Sequence, residues 1–106
     1  MRVGFSLKVK KNMILEYKRR HREVWPEMKS ALKRNGWRNY SLFMTEDGFL
    51  FGYFETPISF EKVRTKMSLE EVNTRWQAEM APFFEIPDNS KPDQMMIELE
   101  EVFHVD

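Results

Sequence analysis

Two side chains in the first third of the chain could move protons. Tyr17 and His21 lie four residues apart, so on a helix they project from one face about one turn apart. A histidine titrates near neutral pH and a tyrosine hydroxyl both donates and accepts hydrogen bonds, which together equip the pair for general acid/base work. Met13, Val24, Trp25 and Met28 fall on the same stripe, while Lys18, Arg19, Arg20 and Arg22 mark the wet side. A Tyr and a His on an apolar stripe require hydrogen-bond partners or a cavity. The plainer alternative is a pair of core residues whose polar tips reach the rim. Trp76 sits on the apolar stripe of a later helical segment and taken alone reads as core. Beside Tyr17, Tyr40 and Trp25 it makes a flat wall suited to the C–H face of a sugar, with N–H and O–H groups at its edge.

Other chemistries lack their residues. The chain has no cysteine, which excludes disulfides, zinc–thiolate sites and thiol nucleophiles. His21 and His104 are the only histidines and neither has a carboxylate at a recognisable ligand spacing, so no metal site is expected. Four glycines form no phosphate-binding loop, so no nucleotide cofactor is expected either.

The elements that must hold these residues follow from periodicity. Val3, Phe5, Leu7 and Val9 alternate with Gly4, Ser6 and Lys8, predicting a half-buried first strand. Asn12 is placed to cap a helix running from Met13 to about Arg34, interrupted at Pro26 and stopped at Asn35-Gly36. Trp37–Thr45 and Phe49–Glu55 read as strands joined by a hairpin at Glu46-Asp47-Gly48. Thr56-Pro57 reads as the start of a short helix over Ile58–Met67. Ser68-Leu69-Glu70-Glu71 reads as a capping box opening a helix to about Phe84. Ile86–Asp93 is a loop, and Ile97–Val105 alternates as a last strand. The order strand, helix, strand, strand, helix, strand predicts an α+β fold, the ferredoxin-like βαββαβ sandwich, in one domain spanning residues 1–106. Helices cover one sheet face in that fold. The other, rich here in large apolar residues, needs a ligand or a second subunit.

Composition narrows the partners. Seventeen Lys plus Arg balance seventeen Asp plus Glu, so the bulk charge that holds a nucleic acid or an acidic membrane is missing. Gly48–Phe54 superficially resembles the aromatic strand of RNA-recognition domains, but Asp47 stands where a basic residue is wanted. The start has no basic-then-apolar signal layout and no apolar run reaches membrane-spanning length, so a cytoplasmic protein is the expectation.

The segment Tyr17-Lys18-Arg19-Arg20-His21-Arg22-Glu23-Val24-Trp25-Pro26-Glu27 closely resembles the signature of the L-rhamnose mutarotase family. The similarity continues through Asn39-Tyr40-Ser41, Leu50-Phe51-Gly52-Tyr53, Arg75-Trp76 and Leu99-Glu100-Glu101-Val102-Phe103-His104, essentially the whole chain in order. The resemblance implies ferredoxin-like subunits paired into a dimeric α/β barrel, and cofactor-free interconversion of the α and β anomers of L-rhamnose. By the same resemblance His21 matches the family's catalytic acid, and Tyr17, Tyr40 and Trp76 match sugar-contacting positions. The family commonly has a second tryptophan directly after the first. Here that position is Gln77, which can bond a sugar hydroxyl but offers no stacking face. His21 is accordingly expected as the principal proton donor, with Tyr17 as supporting donor or second transfer group. The competing expectations are a small cofactor-free monooxygenase of the same barrel architecture and a sugar-binding module without turnover.

Overall fold

The first strand, β1 (Arg2–Lys8), takes its place from alternation: Val3, Phe5 and Leu7 are buried beneath helices, and the residues between them face the other way. The computed structural model describes all 106 residues. The expected interruption at Pro26 divides the first helical stretch into two helices, with Pro26 in the first turn of the second. The chain passes from α1 (Ile14–Arg22) to α2 (Pro26–Arg34) through an extended Trp25, because the residue before a proline is driven out of the helical region. Gly36, at φ +89°, closes α2. Its N–H donates to the Lys33 carbonyl and that of Trp37 donates to Leu32, the paired closure that a left-handed glycine permits.

Strands β2 (Arg38–Met44) and β3 (Phe49–Glu55) form the expected hairpin. Gly48 sits in its turn at φ +94°, where a side chain would also strike the Val9 carbonyl at 2.4 Å. Helix α3 (Phe60–Ser68) begins later than Thr56-Pro57 implies. Thr56 is an extension of the sheet, its N–H and carbonyl both bonded to Met1, and its hydroxyl accepts from Ile58 N. The true cap is Ser59, whose Oγ accepts from Lys62 N at 3.2 Å. The expected capping box is also absent. Ser68 Oγ donates to the Thr65 carbonyl, Glu70 is held by Arg34 and Asn35, and α4 (Glu71–Met80) starts without a side-chain cap. A short 3₁₀ turn over Ala81–Phe83 follows α4.

The last strand, β4 (Ile97–Leu99), is much shorter than the alternation through Val105 implies. Leu99 stands opposite Gly4, and Glu101 pairs with Arg2 at 2.8 Å, so the residues after it run past the end of β1. The sheet is wholly antiparallel in the order β2-β3-β1-β4, the ferredoxin-like arrangement. Its inner face carries Phe5, which lies over Gly52, and Phe54, which stacks on Trp37 at 4.1 Å. Its outer face has no cover. Phe43, Phe51 and Ile97 form one row across it with Ser6, and all three large side chains are exposed.

Candidate active site

Between the inner sheet face and the helices lies a cavity of about 390 Å³, largely apolar in its lining. It gathers Tyr17 and His21 from α1, Tyr40 from β2, and Trp76 and Gln77 from α4. All five residues singled out from sequence thus reach one space. Trp25 lies just behind, its ring edge-on to Trp76 at 5.0 Å.

The helical spacing of Tyr17 and His21 produces a specific contact. Their rings stack with centroids 4.0 Å apart, and His21 Nδ1 lies 3.0 Å from the Tyr17 carbonyl oxygen. A carbonyl only accepts, so Nδ1 carries the hydrogen and donates it. In the neutral ring the free lone pair is therefore on Nε2. Burial pushes the His21 pKa below its ordinary 6.5, outweighing the bond to Tyr17 that raises it. The neutral ring is the resting form at pH 7. Trp76 meets this imidazole edge-on at 5.5 Å and fixes its other side.

Both cavity tyrosines are pushed well above the usual phenol range by burial, so they remain protonated donors. Of the three tyrosines only Tyr53 engages its hydroxyl within the chain, donating to Glu55 at 2.8 Å on the far side of the sheet. Tyr40 is held by Trp37, 5.3 Å away, and by Phe5 at 6.2 Å.

Gln77 is less free than its sequence position implies. Its Oε1 accepts from Asp93 N at 3.2 Å and its Nε2 donates to Asn73 Oδ1 at 3.0 Å. Asn73 and Asp93 line the same cavity and escaped sequence reasoning, as did Trp37. Asn73 had a legible signal, four residues before Gln77 on one helical face. Asp93, inside a loop rich in Pro and Asp, had none. No three His, Cys, Asp or Glu side chains cluster in a way that could hold a metal ion.

Ion pairs join the walls. Glu16 accepts from Arg19 and Arg20, which hold its carboxyl at about 2, and Arg20 reaches across to Glu79 of α4 at 3.1 Å. Arg75 of α4 approaches Glu27 of α2 at 3.5 Å. The helix bearing His21 and the helix bearing Trp76 are thereby tied on their solvent side.

Comparison with known proteins gives one result. The model of the L-rhamnose mutarotase family matches residues 2–105. A protein of Oceanobacillus iheyensis named L-rhamnose mutarotase is 39% identical over 106 residues, covering 99% of this chain and 98% of its own. One of Bacillus subtilis with the same name is 45% identical over 92 residues, covering 86% and 85%. The crystal structure of an L-rhamnose mutarotase from Formosa agariphila superposes with a TM-score of 0.82 at 33% identity, over 100% of this chain and 99% of that one.

Proposed function

The chain belongs to the L-rhamnose mutarotase family, and on that premise we propose how its own residues carry out the reaction. It is an isomerase that interconverts the α and β anomers of L-rhamnose. The observation that supports the site assignment is the Nδ1–carbonyl bond of His21, which leaves Nε2 as the free proton acceptor of a ring that lines the cavity.

Mutarotation opens a cyclic hemiacetal. The anomeric hydroxyl gives up its proton, the bond from the anomeric carbon to the ring oxygen breaks, and the ring oxygen gains a proton. The open aldehyde turns about its first carbon–carbon bond and recloses on the other face by the same steps reversed. Neutral His21 takes the anomeric proton at Nε2. The imidazolium so formed is then the donor to the ring oxygen, which reconciles a resting base with the expected role of principal proton donor. Tyr17, with its raised pKa, hydrogen-bonds the oxygen on which charge develops rather than giving its proton away. Tyr40 and Trp76 hold the ring, Trp76 by its face and Tyr40 by its hydroxyl. Gln77 borders the sugar. No step of this sequence requires a metal, a redox partner or a covalent intermediate.

Two further statements belong to the proposal. The active form is a homodimer, supported by the uncovered row of Phe43, Phe51 and Ile97 on the outer sheet face. The enzyme acts in the cytoplasm; no helix of the chain is long and apolar enough to cross a membrane. Fractionation of the native cells places it, with recovery among membranes or outside the cell contradicting that location.

Anomer exchange followed by saturation-transfer NMR across several sugars tests the substrate and the site together. L-rhamnose is expected to exchange well above its spontaneous rate, and Tyr17→Phe, folded, to exchange about 10–100-fold more slowly than wild type. An unaltered rate in Tyr17→Phe removes that residue from the chemistry.

A further inference from the structure

One atom in the cavity wall has no hydrogen-bond partner. Asp93, in the 3₁₀ turn Pro92–Gln94, is only 5% exposed. Its Oδ2 accepts from Asn73 Nδ2 at 2.9 Å and its backbone N–H donates to Gln77 Oε1 at 3.2 Å. The bond from Gln77 Nε2 to Asn73 Oδ1, 3.0 Å, closes the three residues into a ring that runs through the Asp93 main chain. Oδ1 of Asp93 is buried and has no partner, the one buried side-chain polar atom of the chain in that state.

Such an atom costs free energy in the unliganded fold, and more so on a group that ionises. The ring holds Asp93 at two points, its main-chain N–H and its Oδ2, and leaves the second carboxylate oxygen over. Arg64, also in the cavity wall, donates instead to the Met96 carbonyl at 3.4 Å and stands over the Phe60 ring. An acceptor without a donor selects a ligand that brings one. A neutral hydroxyl does; a carboxylate or phosphate would set like charge against Asp93.

We propose that Asp93 accepts a hydrogen bond, at Oδ1, from one hydroxyl of the bound sugar, and that Asn73 and Gln77 are positioning residues that hold it there. The proposal rests on the mutarotase reading for the identity of the sugar. It assigns Gln77 a supporting part, because both ends of its amide already have partners within the chain. It also makes Asp93 a specificity-determining residue: a site that bonds a hydroxyl rejects the analogue lacking it, since its own buried group is then left unpaired.

The test is a matrix of binding constants measured by titration calorimetry. L-rhamnose and its single-deoxy analogues are titrated into wild type, Asp93→Ala and Asp93→Asn, with anomer exchange recorded on the same samples. Wild type is expected to bind one deoxy analogue at least about 10-fold more weakly than L-rhamnose. In Asp93→Ala that ratio is expected to fall to within about twofold while other analogues keep theirs, as a lost pairwise contact requires. Should Asp93→Ala fail to fold, Asp93→Asn decides. It keeps the volume and the bond from Asn73 but removes the charge, and the ratio should fall at least about threefold. A ratio unchanged in the folded variants, uniform weakening toward every sugar, or no L-rhamnose binding by wild type overturns the proposal. Absence of anomer exchange by a wild type that binds sugar overturns the mutarotase reading instead, and the binding ratios still judge Asp93.

Discussion

At the scale of the residue, the proposed chemistry turns on where one proton sits. The Tyr17 carbonyl fixes the hydrogen of His21 on Nδ1, and burial keeps the ring neutral. A base with a lowered pKa is active above that pKa and lost below it. Catalysed kcat/KM for L-rhamnose, corrected for spontaneous exchange, should therefore be level at pH 7. It should fall on acidification with a midpoint below 6.5. A midpoint above that value contradicts the neutral resting state. On the proposed mechanism Trp76 holds the sugar ring and takes no part in proton transfer. Trp76→Phe, which keeps an aromatic face in the 5.5 Å contact with His21, should raise KM several-fold and leave kcat within about threefold. A kcat collapse at unchanged KM would place Trp76 in the chemistry. The pair Tyr17 and His21 was legible because helical spacing alone sets i and i+4 side by side. Asn73 and Gln77 share that spacing on α4, but the approach of Tyr40 to the cavity and of Asp93 to Asn73 and Gln77 depends on which elements meet, and local spacing carries no such information.

At the scale of the element, two devices shape the cavity. Gly52 of β3 leaves room for Phe5: a Cβ there would lie 2.1 Å from the Phe5 ring. Because Phe5 lines the cavity, Gly52→Ala should push that ring toward the sugar. Overpacking of this kind costs about 1–3 kcal/mol. Thermal unfolding should show the loss and L-rhamnose KM should rise, whereas wild-type stability would show that the strand shifts freely. The second device is Glu70, which accepts from Arg34 and Asn35 and joins the end of α2 to the start of α4. These donors depress its carboxyl to about 2 from an ordinary 4.5. A depressed carboxyl contributes stability that is present above pH 4.5 and lost as pH falls toward 2. Unfolding of Glu70→Gln should accordingly show a flatter dependence on pH across that window, and an unaltered profile would mean the pair contributes nothing. The capping box at Ser68 misled for a local reason: Ser68 is the last residue of α3 and its Oγ turns back to the Thr65 carbonyl, so it is not free to cap α4. Glycine punctuation fared better. Gly36 and Gly48 adopt positive φ, a requirement that the residue type itself announces.

At the scale of the whole molecule, the order of elements was readable because each long apolar period stood between clear breaks. The ferredoxin-like sheet follows from that order together with the handedness of its crossovers. The length of β4 was not readable, since alternation continues to Val105 although β1 offers partners only as far as its own start. The open sheet face carries the proposed assembly. Light scattering at micromolar concentration should give twice the 12.9 kDa of one chain. Phe51→Glu, which sets a charge on a central strand at a half-exposed position, should give the single-chain mass with the fold retained. A wild type that is monomeric at that concentration contradicts the homodimer.

The central claim is that His21 moves the anomeric proton. The measurement that meets it most directly is the rate of α–β exchange of L-rhamnose by saturation-transfer NMR in wild type and in His21→Ala at matched folded concentration. The catalysed part of the rate is expected to fall by about 10²–10⁴-fold in His21→Ala, to near the spontaneous value. Exchange by folded His21→Ala at the wild-type rate would contradict it.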